Sequence, residues 1–143
     1  MFSVGSPAVN GRGSVARSGK AAMCRKRHIT EEICYNLIMK EQVSTDNAPK
    51  ADHILSQGIV SGGTIYVAGQ IHNKPNGTIV EGSVKEKVDQ IMQNISAILL
   101  EANASLDDIV KVVIYVTDMA QMSELNEVYP TYFTKPFPVR EAV

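Results

Sequence analysis

The sequence predicts an α+β domain: one sheet with two helices on the same face. Three features carry this reading. A hairpin signal spans residues 59–69, a capped amphipathic helix spans residues 83–102, and a β-branched run at residues 109–117 precedes a second apolar-periodic segment. Helices separated by strands in a chain of 143 residues leave room for one sheet and one core.

Ile59-Val60, the pair Gly62-Gly63 and Thr64 to Gly69 form the hairpin, because two consecutive glycines supply the positive φ angles of a tight primed turn. Lys74-Pro75-Asn76-Gly77 is a second turn, leading into a short strand-like stretch, Thr78 to Val80. Ser83 with Glu86 three residues on is a capping-box signature. Val84, Val88, Ile91, Met92, Ile95, Ile98, Leu99 and Ala102 then recur at spacings of three and four, placing an apolar stripe on one helix face. That stripe is core, not a ligand channel.

Ile109 to Thr117 alternates weakly, with Val110, Val112, Ile114 and Val116 facing one way and Ile109, Val113 and Tyr115 the other. This predicts a strand buried on much of both faces, central in the sheet or at a subunit contact. A second helix is expected from about Gln121 to Phe133, with Met122, Leu125, Val128, Tyr129 and Tyr132 inward and an early end at Pro130, which lacks an amide hydrogen. A last strand opens at Val139.

Charge divides the chain. Residues 1–38 carry six basic and two acidic residues, a balance of +4, whereas residues 39–143 carry eight basic and thirteen acidic, a balance of −5. An acidic folded part argues against a phosphate-backbone ligand, so no nucleic-acid partner is expected. The longest apolar run, Val112 to Val116, is too short to span a membrane, and no membrane partner is expected. Residues 1–28 contain no acidic residue and are rich in Arg, Ser, Gly and Ala. That suits a mitochondrial presequence, the alternative being translated upstream sequence ahead of a start at Met39. Residues 1–38 are therefore placed outside the fold as an unstructured segment. Residues 39–52 are read as a linker containing Pro49, and residues 53–143 as the domain.

Cys24 and Cys34 both lie in the N-terminal segment, so the domain has no thiol nucleophile; reduced cysteines are expected, with a Cys24–Cys34 pair as the alternative. His28, His53 and His72 have no partners at metal-ligand spacing and are read as solvated. No P-loop and no nucleophile elbow is present. Arg140 follows Pro136-Phe137-Pro138 into an apolar strand. A guanidinium so placed suits a bidentate grip on a carboxylate, the alternatives being a solvated edge arginine or a pair with Glu141 or a sheet neighbour.

Several segments are recognisable together. Ser56-Gln57-Gly58, Val67-Ala68-Gly69-Gln70-Ile71, Ser105 to Val112, Asp118-Met119, Asn126-Glu127-Val128-Tyr129 and Phe137-Pro138-Val139-Arg140 resemble, in order, segments of the RidA (YjgF) family. The resemblance runs from about Ala48 to Val143. It implies a chorismate-mutase-like fold, a homotrimer with sites between subunits, and cofactor-free hydrolysis of imine and enamine acids to 2-keto acids and ammonia. On that basis the small-molecule substrate is a reactive imine or enamine carboxylate, and the location is the mitochondrial matrix or the cytoplasm. Arg140 would hold the substrate carboxylate, while Ala68, Gly69 and Asn126 would shape the pocket. No catalytic residue is assigned.

Departures from the family pattern accompany the match. Leu55 stands where deaminating members place a tyrosine, Ala68 where a serine is usual, and Ala142 where a cysteine is frequent. The resemblance also implies a further sheet strand and a water-handling glutamate beyond Val143. The domain is therefore expected to lack its last strand, and to fold poorly or be inactive as written. A non-catalytic trimer binding small carboxylates is the second reading. The ribonuclease and translation-inhibitor labels of some relatives supply a third, which the acidic domain disfavours.

Overall fold

The computed structural model describes residues 40–143 and the backbone strand at residues 2–7. The expectations for Cys24, Cys34 and His28, and for the presequence from residue 8 onward, lie outside the described residues.

Among the described residues, six strands and two helices follow in chain order: β1 (Phe2–Pro7), β2 (Glu41–Val43), β3 (Gly58–Ser61), β4 (Thr64–Gln70), α1 (Val84–Glu101), β5 (Lys111–Ile114), α2 (Met122–Val128) and β6 (Val139–Ala142). The sheet order is β2-β3-β4-β1-β5-β6. All neighbours pair antiparallel except β5 and β6, which are parallel. This is the α+β arrangement the periodicities predict.

Local chemistry explains most elements. Gly62 and Gly63 adopt φ of 59° and 76°, the double left-handed pair that turns β3 into β4. At α1 the capping box forms in full: the Glu86 amide donates to Ser83 Oγ at 3.3 Å, and the Ser83 amide donates to Glu86 Oε2 at 2.9 Å. The stripe Val88, Ile91, Met92, Ile95, Ile98 and Leu99 is buried, packing with Ile65, Val67, Val112 and Ile114 from the sheet. Gly58 permits the close contact of β3 with this helix, since a Cβ there would sit 3.2 Å from Ile98 Cγ2 and 3.3 Å from Val43 Cβ.

Several boundaries differ from expectation. The strand after α1 is only Lys111–Ile114, and just one of its faces is buried: Val112 and Ile114 are enclosed, Val113 is half-buried, and Val110 and Tyr115 are exposed. It is nonetheless interior, flanked by β1 and β6. Thr78 to Val80 contributes one bridge, Asn73 to Ile79. α2 ends at Val128, after which Tyr129–Tyr132 continue as a tighter 3₁₀ turn around Pro130.

Two corrections concern the N-terminal side. The stretch taken as a linker, residues 39–52, contains β2 and two core residues, Val43 and Ala48. The cause is Gln57, which is 1 % exposed. Its Oε1 accepts from the Thr45 amide at 2.7 Å, and its Nε2 lies within 2.9–3.0 Å of the carbonyls of Thr45, Ala48 and Pro49. A side chain satisfying that many backbone groups fixes a loop as firmly as a strand ladder would. The second correction is to the segment 1–38 placed outside the fold. Phe2–Pro7 form β1 inside the sheet, pairing with β4 on one side and β5 on the other, and the described sheet has no interior vacancy.

Gln57→Leu keeps the volume and removes every one of those bonds. Leaving the Thr45 amide and carbonyl partners unsatisfied is expected to cost about 2–4 kcal/mol of unfolding free energy. Urea denaturation checks this, and a loss below about 1 kcal/mol would show that water replaces the glutamine.

Candidate active site

Two regions hold the expected site residues. The first is built on β6. In the parallel register Arg140 lies opposite Val112, so it projects on the face of the sheet that carries the helices. All of β6 is exposed. The Arg140 guanidinium carbon stands 4.9 Å from the centroid of the Tyr129 ring, a cation–π contact. Among the described residues it has no carboxylate partner; Glu141, one alternative partner, projects from the other face and lies 3.8 Å from Lys111 instead. Asn126 is exposed on α2, three residues before Tyr129 and therefore on the same side of the helix.

The platform beneath Arg140 is held from below. Tyr129 is 5 % exposed and its ring stacks at a tilt on Phe133, centroids 4.8 Å apart. Its hydroxyl is buried without a hydrogen-bond partner among the described residues. Burial raises the Tyr129 pKa, and the nearby Arg140 charge opposes that rise. One turn on, the Tyr132 hydroxyl donates a hydrogen bond to Asp89 of α1, tying the segment after α2 to the long helix. Burial and this bond both push the Tyr132 pKa up. Asp89 also accepts from Lys85 at 2.7 Å, and the lysine contact followed by the tyrosine contact lowers its pKa.

The second region lies on the opposite face. Ile65 and Val67 of β4 are buried toward the helices, so Tyr66 and Ala68 project the other way. Tyr66 is 58 % exposed. Together with Leu55, Ser56 and Ile59 they line an open cleft of about 850 Å³. The titratable side chains along that cleft are Lys40, Asp52, His53 and Tyr66. The Ala68 amide is already engaged by the Gln57 carbonyl at 2.9 Å, and its own carbonyl accepts from Gln70 Nε2 at 3.1 Å. Gly69 follows as half-buried backbone near the end of β4.

One chain therefore brings Arg140 and Asn126 to one patch, and Ala68 and Gly69 to another. β1 and β5 stand between β4 and β6, so the strand axes are three spacings, roughly 14 Å, apart. The sequence reading has Tyr129 as an inward-facing residue and as the end of a family segment, with no role at the site. Its spacing of three from Asn126 was the available sign of a role beside Arg140. His53, read as solvated, borders the second cleft. Among the described residues no group of three or more His, Cys, Asp or Glu side chains is placed to hold a metal ion.

A family model described as endoribonuclease L-PSP matches residues 45–143. The chain belongs to this family. Its members include Protein MMF1, mitochondrial, of Saccharomyces cerevisiae, 43% identical over 101 residues that cover 71% of this chain and 70% of that protein. The 2-iminobutanoate/2-iminopropanoate deaminase of Rattus norvegicus is 36% identical over 106 residues, covering 73% of this chain and 77% of the deaminase. Among solved structures, RidA from an Antarctic Psychrobacter superposes with a TM-score of 0.68 at 36% identity, over 72% of this chain and 84% of RidA. Escherichia coli TdcF with bound serine superposes with a TM-score of 0.66 at 30% identity, over 73% and 84% of the two chains. The family and fold inferred from the residue segments are those the comparisons show. No helix among the described residues is long and apolar enough to cross a membrane.

The Asp89 link gives the platform a pH dependence. Because the folded pKa of Asp89 is depressed, its stabilising contribution is complete above the unfolded carboxylate value of about 3.9 and is lost as pH falls through the lower folded value. Asp89→Asn should flatten the acid limb of the stability curve between about pH 5 and 2 while leaving its shape between about pH 6 and 9 unchanged, below the range in which tyrosine titrates. Urea midpoints across that range test it, and an unaltered acid limb would remove Asp89 from the account.

Proposed function

We propose that this chain hydrolyses small imine or enamine carboxylic acids to 2-keto acids and ammonia, with Arg140 holding the substrate carboxylate and no cofactor taking part. The observation that carries the reading is the state of Arg140. It is an exposed guanidinium, supported on the Tyr129 ring and without a carboxylate partner among the described residues. An arginine held at its base and open at its fork suits a planar anion. The deaminase named above is a relative, and TdcF carries an amino acid, so a small carboxylate is the ligand class both suggest.

Water attack on a protonated imine asks mainly for orientation and fixed charge. Arg140 would supply the charge, Asn126 a hydrogen-bonding edge on the same side of α2, and the Ala68–Gly69 backbone the opposite wall. These two groups lie on different faces of one chain, so the proposed site forms between copies, in a homotrimer. Exposed apolar residues on the face away from the helices, Tyr66 and Tyr115 among them, suit that packing. We place the protein in the mitochondrial matrix or the cytoplasm; the mitochondrial label of the yeast relative favours the matrix.

One observation favours a second reading, a trimer that binds small carboxylates without turnover. Leu55 and Ala68 give the cleft apolar side chains where a proton-transferring group would be useful. The ribonuclease reading implied by the family's description is less well supported, because residues 39–143 are net acidic.

Following keto-acid and ammonia release from freshly generated 2-aminoacrylate separates these readings. Turnover with the wild-type chain, reduced roughly 10- to 100-fold in kcat/KM by Arg140→Ala through loss of a charged hydrogen-bonding pair, is the expected result. Saturable binding with no ammonia released would establish the binding module instead. Arg140→Lys should recover only part of the loss, since a point charge cannot form the fork. Tyr129→Leu should raise KM more than Tyr129→Phe does, because only the former removes the aromatic platform. Equal effects would deny it a positioning role. Sedimentation of the wild-type chain tests the trimer.

A further inference from the structure

The sheet depends on a strand whose sequence is poorly suited to its place. β4 and β5 do not pair with each other; each pairs with β1. On one side Val4, Gly5, Ser6 and Pro7 lie opposite Val67, Tyr66, Ile65 and Thr64. On the other, Phe2, Ser3, Val4 and Gly5 lie opposite Ile114, Val113, Val112 and Lys111. Both ladders are antiparallel, so the position is a slot with hydrogen-bonding backbone on both sides. The strands that border it contribute Ile65, Val67, Val112 and Ile114 to the core, each no more than 4 % exposed.

An interior strand over such a core normally reads as a run of β-branched and aromatic residues. The occupant reads Phe-Ser-Val-Gly-Ser-Pro. Glycine and proline are depleted from interior strands, and Pro7 has no amide to donate. The pairing with β4 is itself irregular, with a register shift between Phe2 and Val4. A backbone slot is selective for an extended chain and only weakly selective for sequence, so a better strand former competes on equal geometric terms.

We propose that the slot between β4 and β5 is a strand-exchange site. Phe2–Pro7 is its displaceable resident, and an extended peptide of alternating β-branched residues takes its place, antiparallel to both neighbours. The exchange leaves β2-β3-β4 and β5-β6 joined, because the incoming backbone restores the same two ladders. This goes beyond the proposed deaminase activity and does not rest on it.

The test uses the full chain and a fluorescent peptide of alternating valine and threonine with a lysine at each end. Anisotropy measures binding, and hydrogen exchange measures protection at Phe2–Ser6, β4 and β5. Without peptide, the Phe2–Ser6 amides should be protected. With peptide, binding should saturate, those amides should lose protection, and β4 and β5 should keep theirs. A Ser3→Val variant, whose resident strand pairs better, should bind the peptide more weakly by up to about fivefold, the span of strand propensity in a host sheet. Three results overturn the proposal. They are no saturable binding, binding that leaves Phe2–Ser6 protected (addition to an outer strand such as β2 or β6), and freely exchanging Phe2–Ser6 amides in the absence of peptide. Replacing the threonines of the probe by prolines should abolish binding, and retained binding would count against a ladder in the slot.

Discussion

Pairing of the backbone at the middle of the sheet is the constraint on which the rest depends. β4 and β5 carry the residues that face α1, yet they meet only through β1. Each buried amide or carbonyl left without a partner there would cost about 1–3 kcal/mol, and a domain of this size has a total margin of ~5–15 kcal/mol. Something must therefore fill the position for α1 to have a continuous surface to cover. In this chain the filler is Phe2–Pro7, brought from far along the sequence. The apolar stripe of α1 and the hairpin beside it are strong local signals, but their packing is conditional on this one non-local strand.

The same arrangement divides the candidate site. Inserting β1 between β4 and β5 sets Arg140 and Ala68 three strand spacings apart, and alternation along the strands sends them to opposite faces. Arg140 leans on Tyr129, which the Tyr132–Asp89 bond ties to α1; Ala68 opens onto the cleft with Tyr66 and Leu55. On the proposed function, a single copy carries two half-sites, each held by a rigid element. An enzyme organised in this way gains precision from secondary structure, and becomes dependent on assembly for completeness. That dependence is the physical reason for coupling the proposed activity to a trimer.

How much of this was legible in the sequence followed how local the cause was. The capping box at Ser83, the Gly62-Gly63 turn and the interruption at Pro130 each act within a few residues, and each appears where the sequence predicts it. Arg140 was recognisable because a guanidinium in an apolar strand after two prolines is unusual. The failures were non-local. Gln57 orders residues that precede it by 8 to 12 positions, which turned an apparent linker into part of the core. β1 pairs with residues some 60 and 110 positions away, and its composition gives no strand signal at all. The Tyr129 platform needed α2 and β6 to be placed side by side before it had meaning.

The placement of β1 also bears on how the N-terminal segment is to be understood. Residues 1–28 carry arginines and no acidic residue, which suits a presequence, and removal of residues 1–38 would take β1 out of the sheet. A cleaved leader and an interior strand are incompatible roles for Phe2–Pro7 unless another extended segment enters the slot afterwards. Strand exchange reconciles them: β1 would hold the two halves of the sheet together until a better strand displaced it, and only then would the segment be free to be removed. If β1 is instead permanent, the folded chain must keep Phe2–Pro7 wherever it acts. The exchange behaviour of six residues thus decides whether the segment that carries them can leave without opening the sheet.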